Sequence, residues 1–96
     1  MRLELGKFYL DQKRRMWEVY QQGENDDLGR QIFKGRMWSS IDGKFTKEAF
    51  FNFRGVDVRG YYSKKASLAK KTYIFLKDPP LNEPQIEMIK NFKRRY

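Results

Sequence analysis

Along the first half of the chain, apolar and polar positions alternate with the two-residue period of half-buried strands. Gly6–Leu10 and Arg15–Tyr20 are short segments rich in aromatic and β-branched residues, joined by the polar Asp11-Gln12-Lys13-Arg14. They predict a hairpin with a four-residue loop. In its second strand Trp17 and Val19 share one face while Met16, Glu18 and Tyr20 share the other. Gln21–Gly29 is polar, with two glycines and an Asn-Asp-Asp run, and predicts a loop. Strand character resumes over Arg30–Trp38, where Gly35 marks a bulge or a close backbone approach. Asp42-Gly43 predicts a second hairpin through a type I′ turn. Its return strand is either Lys44–Thr46 or, after another turn at Thr46–Glu48, the run Ala49–Phe53.

The central stretch Ala49–Tyr62 places five aromatics in fourteen residues, broken by Arg54, Gly55, Arg59 and Gly60. Beyond it, Ser63–Thr72 carries two lysine pairs around Ala66–Ala69 and reads as a short helix with Leu68 inward or as a basic loop. Tyr73–Lys77, closed by Asp78-Pro79-Pro80, predicts a buried strand; the alternative is the end of a longer helix starting at Ser67. Asn82–Arg95 predicts a helix: Asn82 caps it, Gln85 completes a capping box, Glu83 suits the N-terminal end, and Lys93, Arg94 and Arg95 suit the C-terminal end. Ile86, Ile89, Phe92 and Tyr96 form its apolar stripe, with Glu87, Lys90 and Arg94 assigned to the opposite side. The expected fold class is α+β, an antiparallel sheet or partly open β-barrel of about five strands with a C-terminal helix. Residues 1–96 make a single small basic domain.

Composition changes the picture in two ways. Sixteen Phe, Tyr and Trp stand against fifteen Leu, Ile and Val, so the core must be built largely from rings. The chain has no cysteine and no histidine, which excludes disulfides, a thiol nucleophile and the usual structural zinc ligands. Without either residue, nucleophilic catalysis at neutral pH lacks its common base, and no enzymatic activity and no cofactor are expected. Glu24, Asp26 and Asp27 cluster in one loop but lack the alternating ligands of a calcium site, so no metal is expected. There is no apolar run of about 18 residues for a membrane span and no apolar core of a signal peptide after Met1. The expected setting is cytoplasmic.

The net charge of +9 is unevenly placed: residues 1–30 are balanced, 31–60 carry +3 and 61–96 carry +6. This polarity points to a polyanionic partner, nucleic acid (DNA or RNA) or an acidic protein surface. If Ala49–Arg54 is a strand, Ala49, Phe51 and Phe53 face one way and Phe50, Asn52 and Arg54 the other. Phe50 then becomes a stacking ring beside a guanidinium, unless both faces of the sheet are covered. The candidate nucleic-acid-binding residues are Phe50, Arg54, Arg59, Tyr61, Tyr62, Lys64, Lys65, Lys70, Lys71, Lys93, Arg94 and Arg95. The cations among them contact phosphates and carry no sequence information. Neither the RNA-recognition strand pattern nor a KH GXXG loop is present.

The order Gly6-Lys7-Phe8-Tyr9, then Arg14-Arg15-Met16-Trp17-Glu18-Val19-Tyr20, then Trp38-Ser39 and Asp42-Gly43-Lys44-Phe45 resembles the β-hairpin repeats of small bacteriophage-encoded accessory proteins. Gln12-Lys13 stands where those proteins carry a turn glycine. The resemblance covers the N-terminal half and implies a phage or mobile-element protein acting in a host cytoplasm. It also supplies the alternative function, a phage-encoded inhibitor or adaptor that binds a host protein such as a polymerase, a nuclease or a CRISPR-Cas defence complex.

Overall fold

The computed structural model describes residues 2–25, 28–58 and 74–92. Strands β1 (Phe8–Asp11), β2 (Met16–Gln22), β3 (Ile32–Ser39) and β4 (Lys44–Asn52) follow one another as an antiparallel meander. The short β5 (Leu76–Lys77) pairs with the far side of β1, giving the order β4-β3-β2-β1-β5, and helix α1 (Glu83–Asn91) follows it. Single bridges, Phe51 to Asp57 and Val56 to Phe75, carry pairing from β4 round toward β5. Asp57 N–H donates to Ile74 O and Leu76 N–H to Gly55 O along that path. The five-stranded antiparallel sheet with one C-terminal helix is the α+β architecture expected from the alternation.

Paired residues on neighbouring strands share a face, and the register shows which one is buried. Tyr9 lies opposite Trp17, Trp17 opposite Met37, Val19 opposite Gly35, Gly35 opposite Ala49, and Phe33 opposite Phe51. This inner face, with Leu3, Ile74 and Leu76, is the core. Trp17 and Phe51 meet edge to face, with ring centroids 5.3 Å apart and planes at 80°. Gly35 allows this packing, because a Cβ built there would stand 2.6 Å from Phe51 Cε2. The close approach anticipated at Gly35 is therefore real. A bulge also lies directly across from Gly35, on the partner strand: β2 carries an extra residue, Tyr20, between Val19, which pairs with Gly35, and Gln21, which pairs with Lys34.

The first turn works without its expected glycine. Asp11 belongs to β1, Arg14 N–H donates to Asp11 O at 3.0 Å, and Asp11 N–H donates to Arg15 O at 2.9 Å. The loop thus has three residues, Gln12–Arg14, rather than the four expected, and Arg14 takes the left-handed position at φ 61°. The buried Asp11 carboxylate holds this conformation: one oxygen accepts from the N–H groups of Lys13 and Arg15, the other from Arg15 Nε and Trp17 Nε1.

The second turn also departs from expectation. Gly43 at φ 66° donates to Ser39 O, while Asp42 has no positive φ, so Ser40–Gly43 is a four-residue loop and not a type I′ turn. Ser39 Oγ donates to the Asp42 carboxylate and accepts from Asp42 N–H. One continuous β4 takes in Lys44–Thr46 and the Ala49–Asn52 part of the second candidate, leaving out Phe53, and carries an extra residue, Thr46, in place of a second turn. The side-chain alternation absorbs that irregularity without breaking the strand.

The capping box at Asn82 and Gln85 has both its hydrogen bonds, at 3.0 and 2.9 Å. The helix ends earlier than expected, at Asn91, with Phe92 extended and donating to Ile89 O. Leu81 N–H donates to Phe8 O and ties the start of α1 to β1. Ile86 is buried, but Phe92 is exposed. Lys90 is exposed as expected, yet one turn after Ile86 it falls about 40° from it rather than opposite, and its ammonium lies 5.2 Å from the Phe8 ring. The basic segment 63–72, Tyr73 and the residues after Phe92 lie outside the described residues.

Candidate functional site

The outer face of the sheet is divided by α1. The helix lies over the Phe8, Trp38 and Phe45 side, where Lys90 Nζ stands 5.2 to 5.8 Å from all three rings. Further along β3 and β4 the face is open, and Phe50 stands 46% exposed with Lys34 Nζ 5.7 Å from its ring centroid. The two residues are cross-strand partners, so the geometry follows from register. Between these halves Arg36 is held by its neighbours while 40% of its side chain stays exposed. It pairs with Glu18 at 2.6 Å and lies 4.0 Å over Phe45 and 5.0 Å over Tyr20. Burial, then a hydrogen bond to Glu48, raises the Tyr20 phenol above its ordinary pKa. Among the described residues, Lys34 and Phe50 pair a half-exposed cation with an exposed ring on this face, an arrangement that suits a ligand.

Phe50 therefore points outward, as the strand alternation allowed, but its cationic neighbour is Lys34 and not Arg54. β4 ends at Asn52, whose side-chain oxygen accepts from Arg54 N–H at 2.9 Å and Val56 N–H at 3.1 Å. This turn takes Arg54 off the strand, and its guanidinium lies 5.4 Å over the Phe53 ring. Arg59, Tyr61, Tyr62, Lys64, Lys65, Lys70, Lys71, Lys93, Arg94 and Arg95 lie outside the described residues. Lys34 was missed because only the β3–β4 register sets it opposite Phe50, and that register waited on the identity of the return strand.

A concavity with a volume of about 570 Å³ opens where α1 passes the two hairpin turns. Met16, Met37 and Trp38 come from the strands, Ile41 from the second turn, and Met88, Ile89 and Phe92 from the helix end. Ile41, Met88 and Phe92 are 63, 72 and 59% exposed, forming an apolar rim. Lys13, Arg14 and Arg15 line the side formed by the first turn, and Ser39 and Ser40 the side formed by the second. No carboxylate lines the cleft among the described residues. Asp11, in the same turn, is buried and faces Trp17 and Arg15. Trp38 packs its ring edge to face with Phe45 at 5.1 Å, and its indole N–H is buried without a hydrogen-bond partner among the described residues.

The sequence offered no direct sign of this cleft. Its residues were read as strand, turn and core stripe, and only the early end of α1 turns Phe92 from core into rim. Among the described residues no group of three His, Cys, Asp or Glu could hold a metal ion, and no helix is long and apolar enough to cross a membrane. Both concavity and open face are suited to binding: one offers apolar area with cations beside it, the other a ring with a cation over it. The chain matches no protein-family model, no curated protein and no solved structure.

Proposed function

We propose that this protein is a non-enzymatic module that binds single-stranded nucleic acid, through its phosphates and through stacking on Phe50. The observation that carries the reading is the exposed Phe50 ring with the Lys34 ammonium 5.7 Å from it on an open sheet face. A base stacks on the ring while the lysine meets the adjacent phosphate, which are the two contacts that sequence-tolerant strand binding uses. The net charge of +9 supports the same partner. The host cytoplasm is the setting that the phage-like first half suggests.

Fluorescence anisotropy with labelled oligo(dT) and oligo(U) tests this. Affinity should fall steeply as salt is raised. Phe50→Ala should weaken binding by about 1–3 kcal/mol, the range for losing one stacking ring. Lys34→Glu should weaken it and flatten the salt dependence. Absence of binding to either strand at low salt would remove the proposal. The second reading, a phage-encoded inhibitor or adaptor of a host protein, is favoured by a different observation, the exposed Ile41, Met88 and Phe92 around the cleft.

A further inference from the structure

We propose that the cleft between α1 and the two hairpin turns takes a short acidic amphipathic segment of another protein. A bulky apolar side chain enters among Met16, Trp38 and Met88, and neighbouring carboxylates meet Lys13 and Arg14. This inference is independent of nucleic-acid binding at Phe50, which lies on the open part of the sheet.

Three of the four methionines of the chain, Met16, Met37 and Met88, line this one cleft. Unbranched thioether side chains adapt to irregular apolar partners and recur on surfaces that receive peptides. Two of the exposed large apolar residues of the rim, Met88 and Phe92, stand on the side where α1 ends. An apolar rim of this kind is costly to leave in water and marks a contact surface.

Charge fixes the chemistry of the occupant. Cations line the first-turn side, and no carboxylate lines the cleft among the described residues. Arg15 is committed to Asp11 through a 2.7 Å pair, so Lys13 and Arg14 are the two cations offered outward. Their backbone is already ordered, because the Asp11 carboxylate accepts from Lys13 N–H and Arg15 N–H on either side of Arg14. A carboxylate-bearing ligand then pays little to order the turn. The walls favour a peptide over a nucleic acid: beside the rings of Trp38 and Phe92, most of the apolar lining is thioether and aliphatic, from Met37, Ile41, Met88 and Ile89 with Met16 at the floor, whereas strand binding relies on stacking of successive bases.

The test uses the two tryptophans. Trp17 donates its indole N–H to buried Asp11, while Trp38 lines the cleft, so their two indole signals in a proton–nitrogen correlation spectrum act as control and reporter. The full chain is titrated with a short capped peptide of Leu, Phe and Glu. The Trp38 signal should move to saturation while Trp17 stays in place. Lys13→Glu with Arg14→Glu should raise Kd by roughly tenfold or more. Met88→Ala, on an exposed helix position that leaves the fold intact, should weaken the same titration. The proposal is overturned if Trp38 does not move with millimolar peptide, if a peptide with Lys in place of Glu moves it equally, or if oligo(dT) competes for the same shift.

Discussion

Gly35 and Phe51 are locked together: the phenyl ring occupies the space a side chain at Gly35 would need, with Cε2 2.6 Å from the position of a Cβ. The ring has nowhere to go, since Phe51 is fully buried and set edge to face against Trp17. Gly35→Ala should therefore destabilise the protein by about 1–3 kcal/mol, the usual cost of overpacking a filled core. Adding Phe51→Leu should recover part of that loss, although Phe51→Leu alone destabilises. Urea denaturation of the two single variants and the double variant measures the coupling. Additive losses would show that the ring is not what excludes a side chain at Gly35.

Asp11 is the organising residue of the first hairpin, since its carboxylate accepts four hydrogen bonds while 1% exposed. Asp11→Ala should cost about 3 kcal/mol, the lower end for breaking a buried pair, because Arg15 keeps 32% of its side chain exposed and can turn to water. The Trp17 N–H, by contrast, is left buried without an acceptor. Asp11→Asn keeps an acceptor for the turn and should cost less. Denaturation midpoints order the three proteins, and an Asn variant as weak as the Ala variant would show that charge, and not hydrogen-bond geometry, carries the turn.

Arg14 occupies a left-handed backbone position that costs a side-chain-bearing residue about 1–2 kcal/mol. Arg14→Gly removes that strain but adds backbone freedom to the unfolded chain. The expected net effect is a gain of up to about 1 kcal/mol, read as a higher thermal midpoint. The same substitution deletes a cation of the cleft, so affinity for the acidic peptide should fall while stability rises.

How much of this was legible in the sequence depended on whether the deciding interaction was local. The capping box at Asn82 and Gln85 is written in adjacent residues, and the structure has both bonds. That Trp17 and Val19 share one face followed from strand alternation, and both are buried. The first turn was found, yet its mechanism was not. The carboxylate that replaces a turn glycine acts from inside the core, where burial decides its role. The Asp42-Gly43 signal located the second hairpin, but Ser39 and the four-residue loop determined its type. Lys34 beside Phe50 and the cleft beside Trp38 depend on register and on helix placement, which are long-range. Lys90 is exposed, as expected of a charged residue, but a spacing of four residues from Ile86 keeps it on the sheet-facing side of the helix rather than opposite the apolar stripe.

Tyr9 and Tyr20 both hold their protons more tightly than free tyrosine, Tyr9 because it is buried and Tyr20 because of burial and then Glu48. In each case the folded protein binds the proton better than the unfolded chain does. Their contribution is therefore fully present below the ordinary value of 10.0 and is lost as pH rises through the higher folded values. Stability set by these phenols should be flat from neutral pH to about 10 and fall above it. Tyrosinate absorbance of Tyr9→Phe and Tyr20→Phe should each lose one late-titrating phenol. A variant whose absorbance loses an early-titrating phenol would contradict the assignment for that residue.

Helix α1 is held by one buried side chain, Ile86, by Lys90 over the rings of Phe8, Trp38 and Phe45, and by the Leu81 to Phe8 hydrogen bond. The sheet has a core of its own, so α1 should open without unfolding β1–β4. Asn82→Ala removes the cap acceptor for Gln85 N–H and should cost the helix about 1 kcal/mol. Converted to hydrogen exchange, that loss is a roughly fivefold faster exchange of the Ile89 and Lys90 amides, while Val19 and Phe51 keep their protection. If all four amides accelerate together, helix and sheet unfold as one unit. The cleft would then share the global stability of the protein instead of opening with its helical wall.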